Sequence, residues 1–167
     1  MKTNKVIKLM VSGLSVIALS ACSLLPEKKI YTEIDINTPK QIIWDILIDN
    51  QAYPQWNPYH VKVEGDLQLG QILKLEIHKP NKSVVHIEPH VMEIKPLQRL
   101  IWGGGIEGIF YGKHVFELLS LAEGVTRLVH KERFSGIAIP FAELGSIEEG
   151  YNLMNEALKK RAEAQYD

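Results

Sequence analysis

Hydrophobic and polar positions follow three different patterns along this chain of 167 residues. Residues 9–19 form a mostly apolar stretch near the amino terminus. Between residues 61 and 135, glycine, proline or asparagine interrupts apolar runs roughly every 8 to 12 residues, for example at 65–66, 79–81 and 103–105, which is typical of an antiparallel meander of strands. Further along, apolar side chains recur at helical spacing and predict a long terminal helix: Leu144, Ile147, Tyr151, Met154 and Leu158.

A strand and a helix precede the meander. The strand, over residues 29–36, carries three isoleucines on one face. Three residues predict the start of the helix, since Thr38 can cap its first amides, Pro39 suits its first position and Gln41 completes a capping box. The order of strand, helices, about six strands and a long helix predicts an α+β fold, in which a strongly curved antiparallel sheet surrounds the terminal helix.

The amino-terminal stretch has the pattern of a lipoprotein signal peptide. Three lysines precede the apolar stretch, and residues 19–22, Leu-Ser-Ala-Cys, resemble the bacterial lipobox. We therefore predict a signal peptide at 1–21, a tether at 22–29 lipidated on Cys22, and one domain at 30–165. The alternative is an uncleaved anchor helix with Cys22 as an incidental small residue. Ser23 after the cysteine resembles lipoproteins sent to an outer membrane, so the expected location is the bacterial cell envelope, on a lipid anchor.

Charge and composition narrow the expected partners. Without residues 1–21 the chain has 16 lysines and arginines against 20 aspartates and glutamates, and no basic stripe that would favour nucleic acid. The single cysteine excludes a disulfide framework within the chain. The glycines at 103–105 have neither the following lysine nor the helix of a phosphate loop; together with the nearby Gly108 they indicate a hairpin turn. We expect no cofactor.

Several segments resemble one superfamily. They are the aromatic and proline positions between 38 and 58, Trp102, the run from Gly112 to Leu118, the run from Gly124 to Leu128, and the residues from His130 to Gly136. This set is similar to the START/Bet v 1-like superfamily, and more narrowly to the bacterial polyketide cyclase/dehydrase and lipid-transport group known as SRPBCC. The resemblance implies a helix-grip fold, with a curved antiparallel sheet of about seven strands around the last helix. It also implies a cavity for lipids, sterols, polyketides or other apolar ligands, in which only some members perform chemistry.

Strand alternation predicts which polar residues face that cavity. On the last strand, His130, Glu132 and Phe134 share the less charged face, and His114 and Phe116 share a face on the strand before it. A hairpin between these strands would bring His114, His130 and Glu132 together. Such a cluster could bind a polar head or exchange protons. In the alternative interpretation, the two histidines only satisfy each other or the backbone, and Glu132 lies near the rim.

The remaining candidates are aromatic residues and methionines that could shape an apolar pocket. The segment 53–59 is the best pocket candidate because it is a proline-bounded loop or short helix. For each single residue, ordinary core packing is the alternative. The full set of predicted ligand-binding residues is Trp44, Trp56, Tyr59, Met92, Trp102, His114, Phe116, His130, Glu132, Phe134, Phe141 and Met154.

A metal site is a possibility for a different set of polar residues. His86, Glu88 and His90 alternate along the chain and form a two-histidine, one-carboxylate set if they lie on one strand. The opposite face, with Val85, Ile87 and Val91, has the composition of a core side, so the histidines are expected to face solvent. Pro89 indicates an irregular edge. We therefore expect no metal.

These observations predict a membrane-tethered domain that binds a hydrophobic small molecule or lipid. One alternative is an enzyme of the cyclase/dehydratase type, with His114, His130 and Glu132 as acid–base groups. The other is an envelope protein that binds another protein through the surface formed by residues 53–59.

Overall fold

The computed structural model describes residues 25–166. Within this range the chain forms eight strands, three α-helices and two short 3₁₀ turns. The elements are β1 (Glu27–Ile36), α1 (Lys40–Ile48), a 3₁₀ turn (Asn50–Ala52), α2 (Tyr53–Trp56), β2 (His60–Glu64), β3 (Lys74–His78), β4 (Val84–Ile87), β5 (His90–Lys95), β6 (Arg99–Ile106), β7 (Phe110–Ala122), β8 (Val125–Ser135), a 3₁₀ turn (Ile139–Phe141) and α3 (Ile147–Tyr166). The predicted α+β helix-grip fold is confirmed.

The strands pair antiparallel in two sheets. The larger sheet has the order β1-β8-β7-β6-β5, and the smaller has the order β2-β3-β4. Backbone contacts join them: Ile72 bridges His90, and Leu73 N donates to Pro89 O at 2.9 Å. Together the sheets curve around α3, whose apolar stripe from Ile147 to Leu158 is buried as predicted.

The described residues contain eight strands, where about seven are predicted. His86, Glu88 and His90 do not share one strand, because β4 and β5 are separate elements that belong to different sheets. They are divided at Glu88 and Pro89, and the proline has no N–H for a ladder. This division opens the space between the two sheets in which the cavity lies.

The predicted capping box at α1 is wrong. The helix begins at Lys40, its N-cap is Pro39, and no side chain caps it. Thr38 is instead held against β8, where Thr126 Oγ1 donates to Thr38 O at 2.8 Å. Gln41 turns outward and donates to Asp45 Oδ1 at 2.8 Å. A tertiary contact therefore overrides the local capping preference.

The glycines at 103–105 do not end a strand. All three lie inside β6, and Gly103, Gly104 and Gly105 pair with Lys113, Gly112 and Tyr111 of β7. The hairpin turns three residues later, where Gly108 has a φ of 79° that favours glycine.

The beginning of β1 lies at the same end of the molecule as this hairpin. Glu27 pairs with Ser135, and Gly136 N donates to Pro26 O at 3.0 Å. Ile137 N in turn donates to Gly108 O at 3.0 Å. The predicted signal peptide and Cys22 lie outside the described residues. Among residues 25–166, no helix is both long and apolar enough to cross a membrane.

Candidate functional site

A cavity of about 480 Å³ lies between the two sheets and the start of α3. Its walls are mostly apolar, with side chains from β3, β4, β7, β8 and the segment around the start of α3: Ile77, Val85, Ile87, Phe110, Phe134, Leu144 and Ile147. The inner end is formed by side chains that are almost completely buried: Tyr59, His60, Trp102, His114 and Tyr151. The opening lies near residues exposed to solvent: Glu88, Gly105 and Glu143.

The structure brings together the three polar residues that strand alternation placed inward. His114 and Glu132 are directly opposite in the β7–β8 ladder, and His130 is opposite Phe116. His130 Nε2 lies 3.2 Å from His114 Nε2. His114 Nδ1 lies 3.9 Å from Glu132 Oε2. The three groups therefore form one cluster, in which His114 and Glu132 line the cavity and His130 lies behind them.

Tyr151 of α3 connects this cluster to the helix. Its hydroxyl donates a hydrogen bond to Glu132 Oε2 and lies 2.8 Å from His114 Nδ1. Its ring stacks on His130, with the ring centroids 3.8 Å apart. The sequence showed Tyr151 only as one member of the apolar stripe of the helix, so its polar role was missed.

The contacts continue behind the histidines. Asn155 Oδ1 lies 2.9 Å from His130 Nδ1, and Asn155 Nδ2 donates to Thr32 Oγ1 at 2.9 Å. Thr32 Oγ1 donates to His130 O at 3.1 Å. We call the connected side chains the polar row: Glu132, Tyr151, His114, His130 and Asn155.

The donors at one end fix the direction of hydrogen bonding along part of the polar row. Because Asn155 Nδ2 donates to Thr32, its Oδ1 accepts from His130 Nδ1, and the Nε2 of a neutral His130 then accepts from His114 Nε2. At the other end, the Tyr151 hydroxyl donates to Glu132 Oε2 and lies next to His114 Nδ1. The row thus links a carboxyl group at the cavity to an amide in the core.

Burial determines the protonation states of several groups in and beside the polar row. It lowers the pKa of His130 and of His60 well below the usual range of histidine, and the neighbouring His114 adds to both shifts. Burial, reinforced by the charge of Glu132, raises the pKa of Tyr151 well above that of a free phenol. His60 and His130 are therefore neutral at pH 7, and Tyr151 keeps its hydroxyl hydrogen.

Five of the twelve predicted ligand-binding residues line the cavity: Tyr59, Trp102, His114, Glu132 and Phe134. Three lie behind its wall in the core, where Phe116 packs against Trp102 and His114, and where His130 and Met154 have no exposed surface. Strand alternation predicts the inward face correctly but does not give depth, which is why His130 was placed at the cavity surface.

The other four lie elsewhere. Trp44 is buried on α1, and Trp56 is half-buried against Tyr53. Met92 lies on the face of β5 opposite the buried Val91 and contacts the Tyr111 hydroxyl at 3.9 Å. Phe141 is 90% exposed, because its 3₁₀ turn directs Ile139 inward and Ala142, not Phe141, lines the cavity.

The segment 53–59 does not present an aromatic surface. Tyr53 is fully buried and its hydroxyl donates to Leu47 O at 2.9 Å. Tyr59 is buried too, with its ring edge-on to Tyr151 at a centroid distance of 5.4 Å. The segment therefore contributes Tyr59 to the cavity, and Trp56 is its one partly exposed aromatic ring.

Some residues that line the cavity are not among those predicted from the sequence. His60 follows Tyr59 directly, and its ring lies 5.2 Å from that of His114. The interpretation of Val85 and Ile87 as core residues was incomplete, since both line the cavity. A strand pattern that alternates apolar and polar residues indicates a covered face, and it does not distinguish a cavity wall from a packed core.

The residues of the possible metal site lie on two sheets, with His86 on β4 of the smaller sheet, His90 on β5 of the larger sheet and Glu88 between them. His86 is exposed and lies 3.8 Å from Glu76, while Glu88 and His90 are separated from it by the end of β4. Across residues 25–166, no group of three or more histidine, cysteine, aspartate or glutamate side chains is placed to hold a metal ion.

Comparisons with known proteins identify the fold. The model of the family described as activator of Hsp90 ATPase homolog 1-like protein matches residues 37–163. No curated protein matches the chain. The Zhui aromatase/cyclase from Streptomyces sp. R1128 is 15% identical, with a TM-score of 0.69, over 85% of this chain and 97% of that one.

Two further solved structures agree. A point mutant of the Thalictrum flavum norcoclaurine synthase, in complex with a transition-state analogue, is 14% identical over 86% of this chain and 98% of that one, with a TM-score of 0.63. A protein from Nitrosomonas europaea is 15% identical over 83% of this chain and 96% of that one, with a TM-score of 0.66. At these identities the likeness establishes the fold alone.

Proposed function

Since the chain belongs to the activator of Hsp90 ATPase homolog 1-like family of the SRPBCC superfamily, we propose that its cavity holds a hydrophobic small molecule or lipid. The fold supports a ligand-binding or polyketide cyclase-type function, and binding is the simpler of the two. We further propose that an acylated Cys22 tethers the domain to a membrane of a bacterial envelope.

The shape and lining of the cavity support the binding function. Its volume of about 480 Å³ lies within the roughly 300 to 1,000 Å³ that is usual for small-molecule sites. The walls are mainly aliphatic and aromatic, while the polar groups gather at the closed inner end. A ligand that buries roughly 300 Å² of apolar surface there would gain about 7 kcal/mol before the costs of association.

Native mass spectrometry of the protein, purified from cells without detergent, tests this function. We expect an additional mass that is lost on extraction into organic solvent, because an apolar cavity of this size retains its ligand during purification. A protein that is empty, and that also binds no apolar fluorescent probe, would contradict the proposal.

A tryptophan at residue 142 is expected to block the cavity. Ala142 is half-buried and lines the cavity next to the exposed Glu143, so Ala142→Trp places an indole in the ligand's path. We expect the affinity for N-phenyl-1-naphthylamine, measured by fluorescence titration, to fall at least tenfold. The matched control is Ala122→Trp at the far end of β7, where the residue is exposed and away from the cavity. Equal losses in both variants would mean that the probe binds elsewhere.

The tether is tested by labelling cells with radioactive palmitate. We expect the label in the wild-type protein and none in Cys22→Ala, because acylation requires the thiol of the lipobox cysteine. Label in the variant, or no label in the wild type, would contradict the proposed tether. Neither result would affect the proposed function of the cavity.

An enzyme remains the second candidate, and the polar row is the observation that favours it. Glu132 and His114, joined through the Tyr151 hydroxyl at the inner end of the cavity, are suited to general acid–base chemistry. The ligand recovered for mass spectrometry distinguishes the two functions. A binding protein returns it chemically unchanged after incubation, whereas an enzyme converts it, and Glu132→Gln would then stop conversion.

A further inference from the structure

We propose that the cavity selects apolar molecules whose polar head donates a hydrogen bond, such as an alcohol, a phenol or a protonated amine, and that it disfavours apolar carboxylates. This inference rests on the proposed binding function and specifies its ligand class. Three features of the inner end and the opening carry it: a carboxylate oxygen without a protein partner, space beside that oxygen, and the distribution of charge along the lining.

Glu132 has one oxygen engaged and one available. Oε2 accepts the hydroxyl of Tyr151, and within residues 25–166 no protein group donates to Oε1. The side chain is 13% exposed and lines the cavity. A carboxylate oxygen accepts hydrogen bonds, so a ligand group that contacts Oε1 is expected to donate to it.

Gly112 leaves room for a head group at this oxygen. Gly112 lines the cavity, and a side chain there would begin 3.1 Å from Glu132 Oε1 and 3.2 Å from the ring of Phe134. Any larger residue at 112 would occupy the space in which a hydroxyl or an ammonium group approaches the carboxylate. The absence of a side chain thus turns a buried acceptor into an accessible one.

The charges along the cavity disfavour an anionic head. The lining contains three carboxylates, Glu88, Glu132 and Glu143, and one lysine, Lys79. The lysine is engaged at the opening, where its Nζ lies 2.6 Å from both Oε2 and the backbone oxygen of Glu143. At the inner end, His60 is neutral because burial lowers its pKa, and both ring nitrogens of His114 are engaged by Tyr151 and His130. A ligand carboxylate placed there would meet Glu132, and like charges across a contact oppose binding.

A matched ligand series tests the inference on the full chain. Decanol, decylamine and decanoate share one tail, and each can displace N-phenyl-1-naphthylamine at pH 8 below its critical micelle concentration. For the wild-type protein we expect decanol and decylamine to bind at least tenfold more tightly than decanoate. In Glu132→Gln the amide can donate to a carboxylate, so we expect the preference to shrink to about threefold or less. Glu123→Gln, at an exposed carboxylate between β7 and β8 that does not line the cavity, should keep the wild-type preference.

The outcomes separate this inference from the binding function. If decanoate binds the wild type as tightly as decanol, the inference is wrong and the cavity function stands. The same holds if Glu132→Gln keeps the wild-type preference, with folding checked by circular dichroism. If neither the probe nor any of the three ligands binds, the binding function fails and the inference fails with it. The wild-type comparison decides the question even where the variant does not fold.

Discussion

Replacing Gly150 with alanine is expected to lower the free energy of unfolding by about 2 kcal/mol. In an ordinary helix this change stabilises by up to about 1 kcal/mol, since alanine is the better helix former. Here the Cβ would overlap with the ring carbons of Tyr59, which packs directly on the backbone of α3 at this position. Tyr59 is 3% exposed and lies edge-on to Tyr151, so its ring has little space to move away.

Urea denaturation followed by tryptophan fluorescence measures this effect, and Gly145→Ala is the matched control. A Cβ at residue 145 would lie 3.6 Å from Glu143 Oε1, which is an ordinary contact, so its stability should stay within about 0.5 kcal/mol of the wild type. If Gly150→Ala is as stable as that control, Tyr59 does not pack on the helix. The inner end of the cavity would then be differently built.

Lowering the pH from 7.5 to 5.5 is expected to reduce the free energy of unfolding by about 2 to 3 kcal/mol. His60 and His130 are neutral in the folded protein because burial holds the pKa of each well below its usual value. In the unfolded chain each has a pKa near 6.5, so below that pH the unfolded state binds more protons. The contribution of the two neutral histidines to the free energy of unfolding is therefore present above about pH 6.5 and is lost as the pH falls below it. Each histidine contributes about 1.4 kcal/mol over this interval.

No carboxylate contributes to the pKa of either histidine, so nothing offsets the cost of burying a charged imidazole. His130 faces His114, Tyr151 and Asn155, and His60 faces Trp102 and His114 among rings that are themselves buried. Urea denaturation at a series of pH values measures the slope. His130→Asn should reduce it by about half, whereas His86→Asn, at an imidazole whose side chain is 73% exposed, should not change it. A wild-type stability that is constant between pH 7.5 and 5.5 would contradict the neutral assignment.

Strand alternation gave the most accurate part of the sequence prediction. It placed His130 and Phe134 on the covered face of β8, and both are buried. A hairpin between neighbouring strands then sufficed to bring His114 and Glu132 opposite each other. These predictions succeed because the two-residue period of a strand and the geometry of a hairpin are local properties.

The rest of the site depends on contacts between distant parts of the chain. Tyr151 and Asn155 reach the cluster from α3, and Thr32 reaches it from β1, about a hundred residues from His130 along the chain. No periodicity reveals which polar groups on a helix will meet a strand. Thr38 is a second example of a distant contact that the sequence does not reveal. The local sequence favours a capping box there, but Thr38 contacts Thr126 and no side chain caps the helix.

The attachment of the first strand determines which end of the domain a tether would hold. Pro26 O accepts a backbone hydrogen bond from Gly136 N, and Ile137 N donates one to Gly108 O in the β6–β7 hairpin. The beginning of β1 therefore lies beside the loops that border the cavity opening. Those loops carry apolar side chains that are largely exposed: Ile106, Ile109, Ile137 and Phe141. Cys22 lies three residues before Leu25, and three extended residues span about 10 Å. An acylated Cys22 would therefore keep Leu25 within that distance of the lipid anchor. With that anchor the opening would lie close to the lipid surface, and a cargo molecule could pass between bilayer and cavity with little exposure to water.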